Sequence, residues 1–445
     1  MEASLKINIA RLLLGLVLAL SAFVQLTVVS RTVVEYPMQA DAGDYFSYAF
    51  NVQHYGVYSS FKTWAVEPSE ATPPPDKMRS PGYPAFLMMV GLAEPTDAYF
   101  YRVALAQAAL GVLSVLLVYL VAVTLMSRAL GLVVATLTAI SPHLANASTY
   151  FLTESLFLFL LLAATLALVK ATQSRSYLLF AAAGLLWGLC SLVRPTTLFF
   201  PILLLLAAVG LPAARSFARP ALLAFACFAA VLAPWAIRNH SVPDTPGMNI
   251  MVNTLAHGSY PGFMYKERPE TFGFPYRFDP AIEENTKNLS SVLKSIAKGF
   301  ISQPLEYARW YLLGKPYYFL SLNDVQSVDI YIYPTTRTPY LEDVRFALMR
   351  KLSLAIHWPL MILGLAGAVL LWARPDLLRL DSSKIVAGRI VAALVLYAIA
   401  FHVVVAPFPR YAIPFRPFMY ALAALSAGAF WNALRAHQRL HANRE

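Results

Sequence analysis

Long apolar runs alternate with short charged connections along this chain, and two segments break the rhythm for longer. The first run, 7–30, has about the ~20 residues that a bilayer crossing needs. It lacks a small-residue cleavage site of signal-peptide type, so it reads as a retained span. Further runs at 100–126, 129–141, 150–170, 177–193, 195–210, 219–236, 352–373, 385–406 and 412–434 bring the expectation to ten membrane helices. Those at 129–141, 177–193 and 195–210 fall short of the ~20-residue norm and predict tilted, half-inserted or paired segments. The interruptions are a polar loop at 31–99 and a segment at 237–351. They divide the chain into a membrane part (1–236, including the loop), an outside segment (237–351) and C-terminal spans (352–445). The middle of the outside segment, SYPGFMYKERPETFGFPYRFDP, is rich in Pro, Gly and aromatics and predicts irregular chain. Over 289–320, apolar residues recur at helical spacing between Lys294, Lys298, Arg309 and Lys315, which predicts helices on or near a membrane surface. The segment is too small and loop-rich for an independent soluble enzyme and reads as a lid over a membrane-embedded site.

Composition agrees. The chain is 58% hydrophobic and 13% charged, where a soluble protein carries about 25% charge. The mean hydropathy is +0.57. The net charge of +11 does not signal nucleic acid, because no basic stretch is dense enough; it fits topology and attraction to anionic headgroups. The acids set the orientation. Of 24 Asp and Glu, eight lie in the first loop and eleven in 237–351, while Glu2, Asp376, Asp381 and Glu445 fall on the other face. That face carries short basic connections, including Arg128, Lys170, Arg175, Arg215, Arg219, Arg374 and Lys384. Short basic connections are cytoplasmic, so both termini are expected inside and both large segments outside. Cys190 and Cys227 lie in apolar spans, which excludes a disulfide-rich fold.

In so apolar a chain, polar chemistry has few places to happen. The first loop holds Asp41 and Asp44, then Arg79 in the stiff turn Arg79-Ser80-Pro81-Gly82-Tyr83-Pro84. Two acids three apart share one face if a helix follows; an ordinary N-cap pair explains the same spacing. A carboxylate pair followed by a fixed cation at one membrane face suggests a site for a lipid-bound anionic substrate. Glu154 is the one carboxylate inside an expected span. Such groups are expensive in lipid and tend to face a cavity; a helix-dipole role is the alternative. Arg194, Arg238, Lys315 and Arg410 are further outer-face cations suited to phosphate, or else to snorkelling at headgroups. The histidines, His257 among them, show no metal-ligand spacing. Asp41, Asp44 and Glu154 offer oxygen ligands to a divalent cation, but nothing in the residues demands a cofactor.

The order of these features resembles a known group. An Asp is followed four residues later by Tyr (Asp41, Tyr45), then come HYGVYS, Arg79 with Pro-Gly-Tyr-Pro, LTESLFLFLLL, GLLWGLCSLVRPTTLFFPILLLL and PRYAIPFRPFMYALAAL. The pattern is similar to the GT-C superfamily of polyprenyl-phosphate-dependent glycosyltransferases, specifically the bacterial family related to protein O-mannosyltransferases and the aminoarabinose transferase of lipid A. The resemblance implies an all-α polytopic bundle of about ten helices in the bacterial inner membrane with its active site outside. The donor would be a polyprenyl-phosphate sugar and the acceptor a lipid, glycan or protein. It also implies a catalytic role for Asp41, with Asp44 displaced from the family's usual second acid and Thr153-Glu154 matching a third motif. Arg79 would meet the donor phosphate, with Tyr45 and Tyr83 as further residues binding the substrate or carrier phosphate. A direct transfer needs a base for the acceptor proton, which a carboxylate supplies, and cations for the leaving phosphate.

Two other classes compete. A transporter or flippase of lipid-linked substrates would show two similar halves and broken helices at mid-membrane; here the polar residues gather at one face. A transferase for phosphoethanolamine or acyl groups would want a metal or nucleophile cluster in a folded soluble domain, and the chain shows none.

Overall fold

In the computed structural model, which describes residues 2–66, 72–243, 249–265, 268–322 and 330–442, every expected apolar run is helical. The main helices are α1 (Glu2–Arg31), α2 (Ala40–Tyr55), α3 (Gly82–Val90), α4 (Asp97–Leu125), α5 (Arg128–Ala139), α6 (Glu154–Ser174), α7 (Tyr177–Val193), α8 (Phe200–Gly210) and α9 (Ala218–His240). Segment 237–351 adds α10 (Ile250–Ser259) and α11 (Leu289–Ser302), and the C-terminal part adds α12 (Val344–Ala373), α13 (Ser382–Val404) and α14 (Arg416–Ala442).

The ten expected runs differ in helix length. Among the described residues, six helices are long and apolar enough to cross a membrane: Asn8–Arg31, Asp97–Leu125, Glu154–Ser174, Pro212–His240, Val344–Ala373 and Ser382–Val404. Helices α5, α7 and α8 have only 12, 17 and 11 residues. Prolines account for two of these stops. Pro142 follows the end of α5 and Pro195 the end of α7, and the residue before a proline is pushed out of the helical region. The final run is also broken, because its start is spent on short turns at Pro409–Ala412 and Ile413–Phe415.

The chain is a membrane bundle in which α7 packs against α6 and α9, α4 against α1, α5 and α6, and α12 against α13 and α14. Small residues permit the closest approaches, since lipid supplies no hydrophobic push between helices. At Gly184 in α7, an added Cβ would collide with the Ala224 carbonyl of α9.

Outside the bundle, the proline-rich stretch forms short 3-10 turns at Pro261–Phe263, Pro269–Thr271 and Pro275–Phe278, each opened by its proline. The helices expected over 289–320 are present as α11 and an almost continuous helix from Pro304 to Leu320. One contact braces this segment internally and a second fixes it to the bundle. Trp310 Nε1 donates to the Gly258 carbonyl at 2.9 Å, and Lys315 Nζ donates to the carbonyls of Val403 at 2.9 Å and Val405 at 3.2 Å. A short antiparallel ribbon, Val33–Val34 with Thr335–Arg337, ties residues after α1 to the chain before α12.

The Gly184 contact yields a direct test. Gly184→Val should force α7 from α9 and cost about 1–3 kcal/mol, the range for overpacking. It should lower the thermal midpoint of the detergent-purified protein. Gly15→Val, with nothing within 4 Å of its Cβ, should leave the midpoint in place. Equal midpoints for both would refute a tight α7–α9 contact.

Candidate active site

Helix α2 starts from a turn in which Ala40 takes a φ of +47°, a left-handed conformation unusual for a residue with a Cβ. Asp41 lies in the first helical turn and Asp44 one turn later, so their carboxylates share a face at the positive end of the helix. The facing strand of the loop is knotted by Asp76, which is 5% exposed. Its carboxylate accepts from the Tyr48 hydroxyl, from Ser60 N at 2.7 Å and Oγ at 2.6 Å, and from Met78 N at 3.1 Å. This fixes the turn that carries Arg79, and the Tyr58 hydroxyl donates to the Arg79 carbonyl at 3.0 Å. Gly82 explains the Pro-Gly pair, because a Cβ there would lie 2.7 Å from the backbone of Leu192 and Val193. The turn therefore sits directly on the end of α7.

These constraints bring three charges together. Arg79 Nη2 lies 2.6 Å from Asp41 Oδ1 and 2.8 Å from Asp44 Oδ2. Arg410, 369 residues from Asp41 and 7% exposed, pairs with Asp41 Oδ2. Burial pushes the Asp41 carboxyl up, but the charges of Arg410 and Arg79 and their hydrogen bonds more than offset it, so its pKa lies well below the usual carboxylate range. The contribution of this group to stability is therefore present above about pH 4, the unfolded carboxylate value, and is lost as pH falls below it. Burial pushes Asp44 the other way, and Arg79 only partly counters it. Paired acids with pKa values driven apart are suited to different roles. Tyr45 packs beside Arg79, with the guanidinium 5.4 Å from its ring centroid, and burial raises its hydroxyl to about 12.

Asp41, Arg79 and Arg410 line one wall of a cavity of about 1100 Å³. Segment 237–351 contributes Asn253, Thr254 and His257 of α10, and Phe274, Tyr276 and Arg277 to the lining. Residues 331–335, held by the short ribbon, and Phe408 and Tyr411 complete it. Residues of 237–351 thus share one cavity with the acid-arginine cluster.

The other expected site residues lie elsewhere. Glu154 is 2% exposed and does not line this cavity; its Oε1 accepts from Arg194 Nη2 at 2.8 Å. Arg194 in turn lies over the Tyr411 ring at 4.9 Å, beside Arg410 over the same ring at 5.2 Å. Arg238 is engaged with the first loop, donating to the carbonyl oxygens of Asp76 and Tyr58. Lys315 is fully buried on the carbonyls that end α13. Both were expected at a phosphate; the structure spends their N–H groups on backbone. Tyr83 is also fully buried and donates to Gln107 Oε1 at 3.1 Å. The donor set expected for a divalent cation is not assembled. Both Asp41 oxygens face guanidinium groups, Glu154 is paired apart from Asp41, and among the described residues no three His, Cys, Asp or Glu come together as a metal site.

Sequence reasoning missed Asp76, His257 and Arg277. Asp76 sits beside the proline run with no spacing signal. His257 belongs to a helical stripe, Ile250-Asn253-Thr254-His257, which helical periodicity could have disclosed. Arg277 lies in the irregular stretch, where no period exists to read.

The Asp76 knot yields a prediction. Asp76→Asn should weaken its four hydrogen bonds, each worth about 1.5–3 kcal/mol when an acceptor is charged. Amide hydrogen exchange at residues 77–80 should quicken markedly. Unchanged exchange there would show that Asp76 does not hold the Arg79 turn.

Residues 94–237 match the family model described as Dolichyl-phosphate-mannose-protein mannosyltransferase. No curated protein matches the chain by sequence. The oligosaccharyltransferase AglB of Archaeoglobus fulgidus, in complex with an inhibitory peptide and a dolichol-phosphate, superposes with a TM-score of 0.53 at 16% identity, over 98% of this chain and 52% of that one. An A. fulgidus oligosaccharyltransferase with Zn and sulfate gives a TM-score of 0.52 at 18% identity, over 94% and 49%. ArnT from Cupriavidus metallidurans bound to undecaprenyl phosphate aligns at 14% identity over 94% and 77%, with a TM-score of 0.39. The chain thus spans about half the length of the AglB chain it matches. At such identities the likeness speaks to the fold alone: this mainly helical membrane protein shares the fold of these oligosaccharyltransferases, and its residues 94–237 match the mannosyltransferase family model.

Proposed function

We propose that the chain transfers a sugar from a polyprenyl-phosphate donor to an acceptor hydroxyl or phosphate on the outer face of the membrane. The observation that carries this reading is the Arg79–Asp41–Arg410 cluster on the wall of a cavity of about 1100 Å³. The mannosyltransferase family match over 94–237 supports it, as does the dolichol-phosphate held by AglB in its complex. The orientation, with both termini inside and 237–351 outside as a lid, belongs to the same proposal and rests on the distribution of acids.

The cluster suggests its own chemistry. In the free protein Asp41 is a poor base, because two guanidinium groups stabilise its charge. A donor phosphodiester competes for the same N–H groups, and arginine is well matched to phosphate. Drawing Arg79 and Arg410 toward phosphate releases Asp41 and raises its proton affinity. During transfer the bond from the anomeric carbon to the phosphate oxygen breaks, and the bond to the acceptor oxygen forms. The acceptor proton passes to Asp41. The departing phosphate gains negative charge against the two arginines, so they act on the rate and not on binding alone. Asp41 is thereby ready to accept a proton only when donor is bound.

The test uses purified protein and a panel of polyprenyl-phosphate sugars, following release of polyprenyl phosphate. Wild type should turn over at least one donor. Asp41→Asn should lower turnover about 100-fold or more, the scale of losing a general base. It should nevertheless bind polyprenyl phosphate more tightly than wild type, since the arginines lose their internal competitor, whereas Arg79→Ala should bind it more weakly. Weaker binding in Asp41→Asn would contradict the competition. Donor binding without turnover of any sugar would favour a transporter of lipid-linked substrate.

A further inference from the structure

The cavity wall formed by the lid carries chemistry that a donor phosphate does not use. Helix α10 turns Ile250, Asn253, Thr254 and His257 into the cavity and buries Val252 and Leu255 on its other side. His257 Nε2 meets the Gly273 carbonyl at 2.6 Å. A carbonyl can only accept, so the proton is assigned to Nε2 and Nδ1 is left as an acceptor. Nδ1 has no hydrogen-bond partner among the described residues. Burial, which outweighs the Gly273 bond, lowers the ring's pKa to about 4, so the imidazole is neutral at physiological pH. Tyr276 and Phe408 hold it edge-on at 4.7 and 4.8 Å.

Charge supplies the second observation. The guanidinium of Arg277 lies 4.3 Å from the Phe274 ring centroid and has no ion pair among the described residues. Arg268 nearby is paired with Glu270 at 2.7 Å. The cavity lining sets Arg79, Arg277 and Arg410 against Asp41 alone. Asp41 and Asp44 already pair with Arg79 and Arg410 at one end of the cavity, whereas Arg277 on the wall from 237–351 has no such carboxylate among the described residues. The volume, about 1100 Å³, exceeds the ~300–1,000 Å³ usual for a single small ligand.

We propose that the lid wall is the acceptor subsite and that it takes a negatively charged saccharide. Aromatic faces, an amide, a hydroxyl and a neutral imidazole acceptor suit a ring with several hydroxyls, and Arg277 suits its carboxylate or phosphate by a charge-assisted hydrogen bond. His257 Nδ1 accepts from a hydroxyl of that ring. The term acceptor rests on the transferase reading; the binding chemistry does not.

The experiment titrates the full chain in lipid nanodiscs with cellobiose, a cellobiose analogue ending in glucuronic acid, and cellobiose 6-phosphate, read by ligand-observed NMR. At least one charged probe should bind about tenfold or more tighter than cellobiose, the scale of one charged hydrogen bond. Its identity separates carboxylate from phosphate. Arg277→Gln should erase that preference while polyprenyl phosphate binding persists. His257→Ala should weaken all three probes together. Equal binding of charged and neutral probes, no binding of any, or a preference that survives Arg277→Gln would overturn the proposal. A preference that holds while no donor is turned over would leave the subsite standing and sink the transferase reading. Turnover without a preference would do the reverse.

Discussion

One end of this bundle is arranged around one carboxylate held between two arginines. Asp41 lies at the start of α2, Arg79 in the same loop, and Arg410 between the last two long helices. Their ion pairs join the beginning of the chain to its end across 369 positions. Removing one member of this partly buried set strands the others, at a cost below the about 3–5 kcal/mol of a fully buried pair. The cluster is therefore a structural junction as well as a candidate site. An anion entering the cavity must compete with Asp41 for the arginines. That competition links occupancy to the proton affinity of the carboxylate, without any moving part beyond the side chains.

The surrounding charges make this junction rigid. Arg238 fixes the first loop through the carbonyls of Tyr58 and Asp76. Lys315 fastens the lid to the end of α13, shortly before Arg410. Glu154 balances Arg194, which shares the Tyr411 ring with Arg410. Buried charges in a membrane protein need partners, and here each partner also fixes the position of a neighbour. The lid wall differs, because Arg277 faces the cavity with no such partner among the described residues.

Much of this was legible in the sequence, and the rest was hidden for physical reasons. Hydropathy disclosed the membrane helices because burial in lipid demands long apolar runs. Some of these helices are short because prolines stop them, as at Pro142 and Pro195. Asp41 and Arg79 could be paired because they share one loop. The partner of Arg410 could not be foreseen, since pairing across so many residues depends on how helices pack. Arg238 and Lys315 were named for their charge, but only the folded chain shows that their N–H groups end on backbone carbonyls. Arg277 carried no periodic signal, and His257 lay in a stripe whose partner surface the sequence does not show.

The claim at the centre is that the two arginines leave Asp41 for the phosphate of a carrier lipid. A cryo-EM structure of the protein in nanodiscs with polyprenyl phosphate measures this directly. The expected map places phosphate oxygens within about 3 Å of the guanidinium groups of Arg79 and Arg410, the usual charge-assisted distance, with Asp41 released from at least one of them. A phosphate bound elsewhere, with both Asp41 ion pairs intact, would contradict the account.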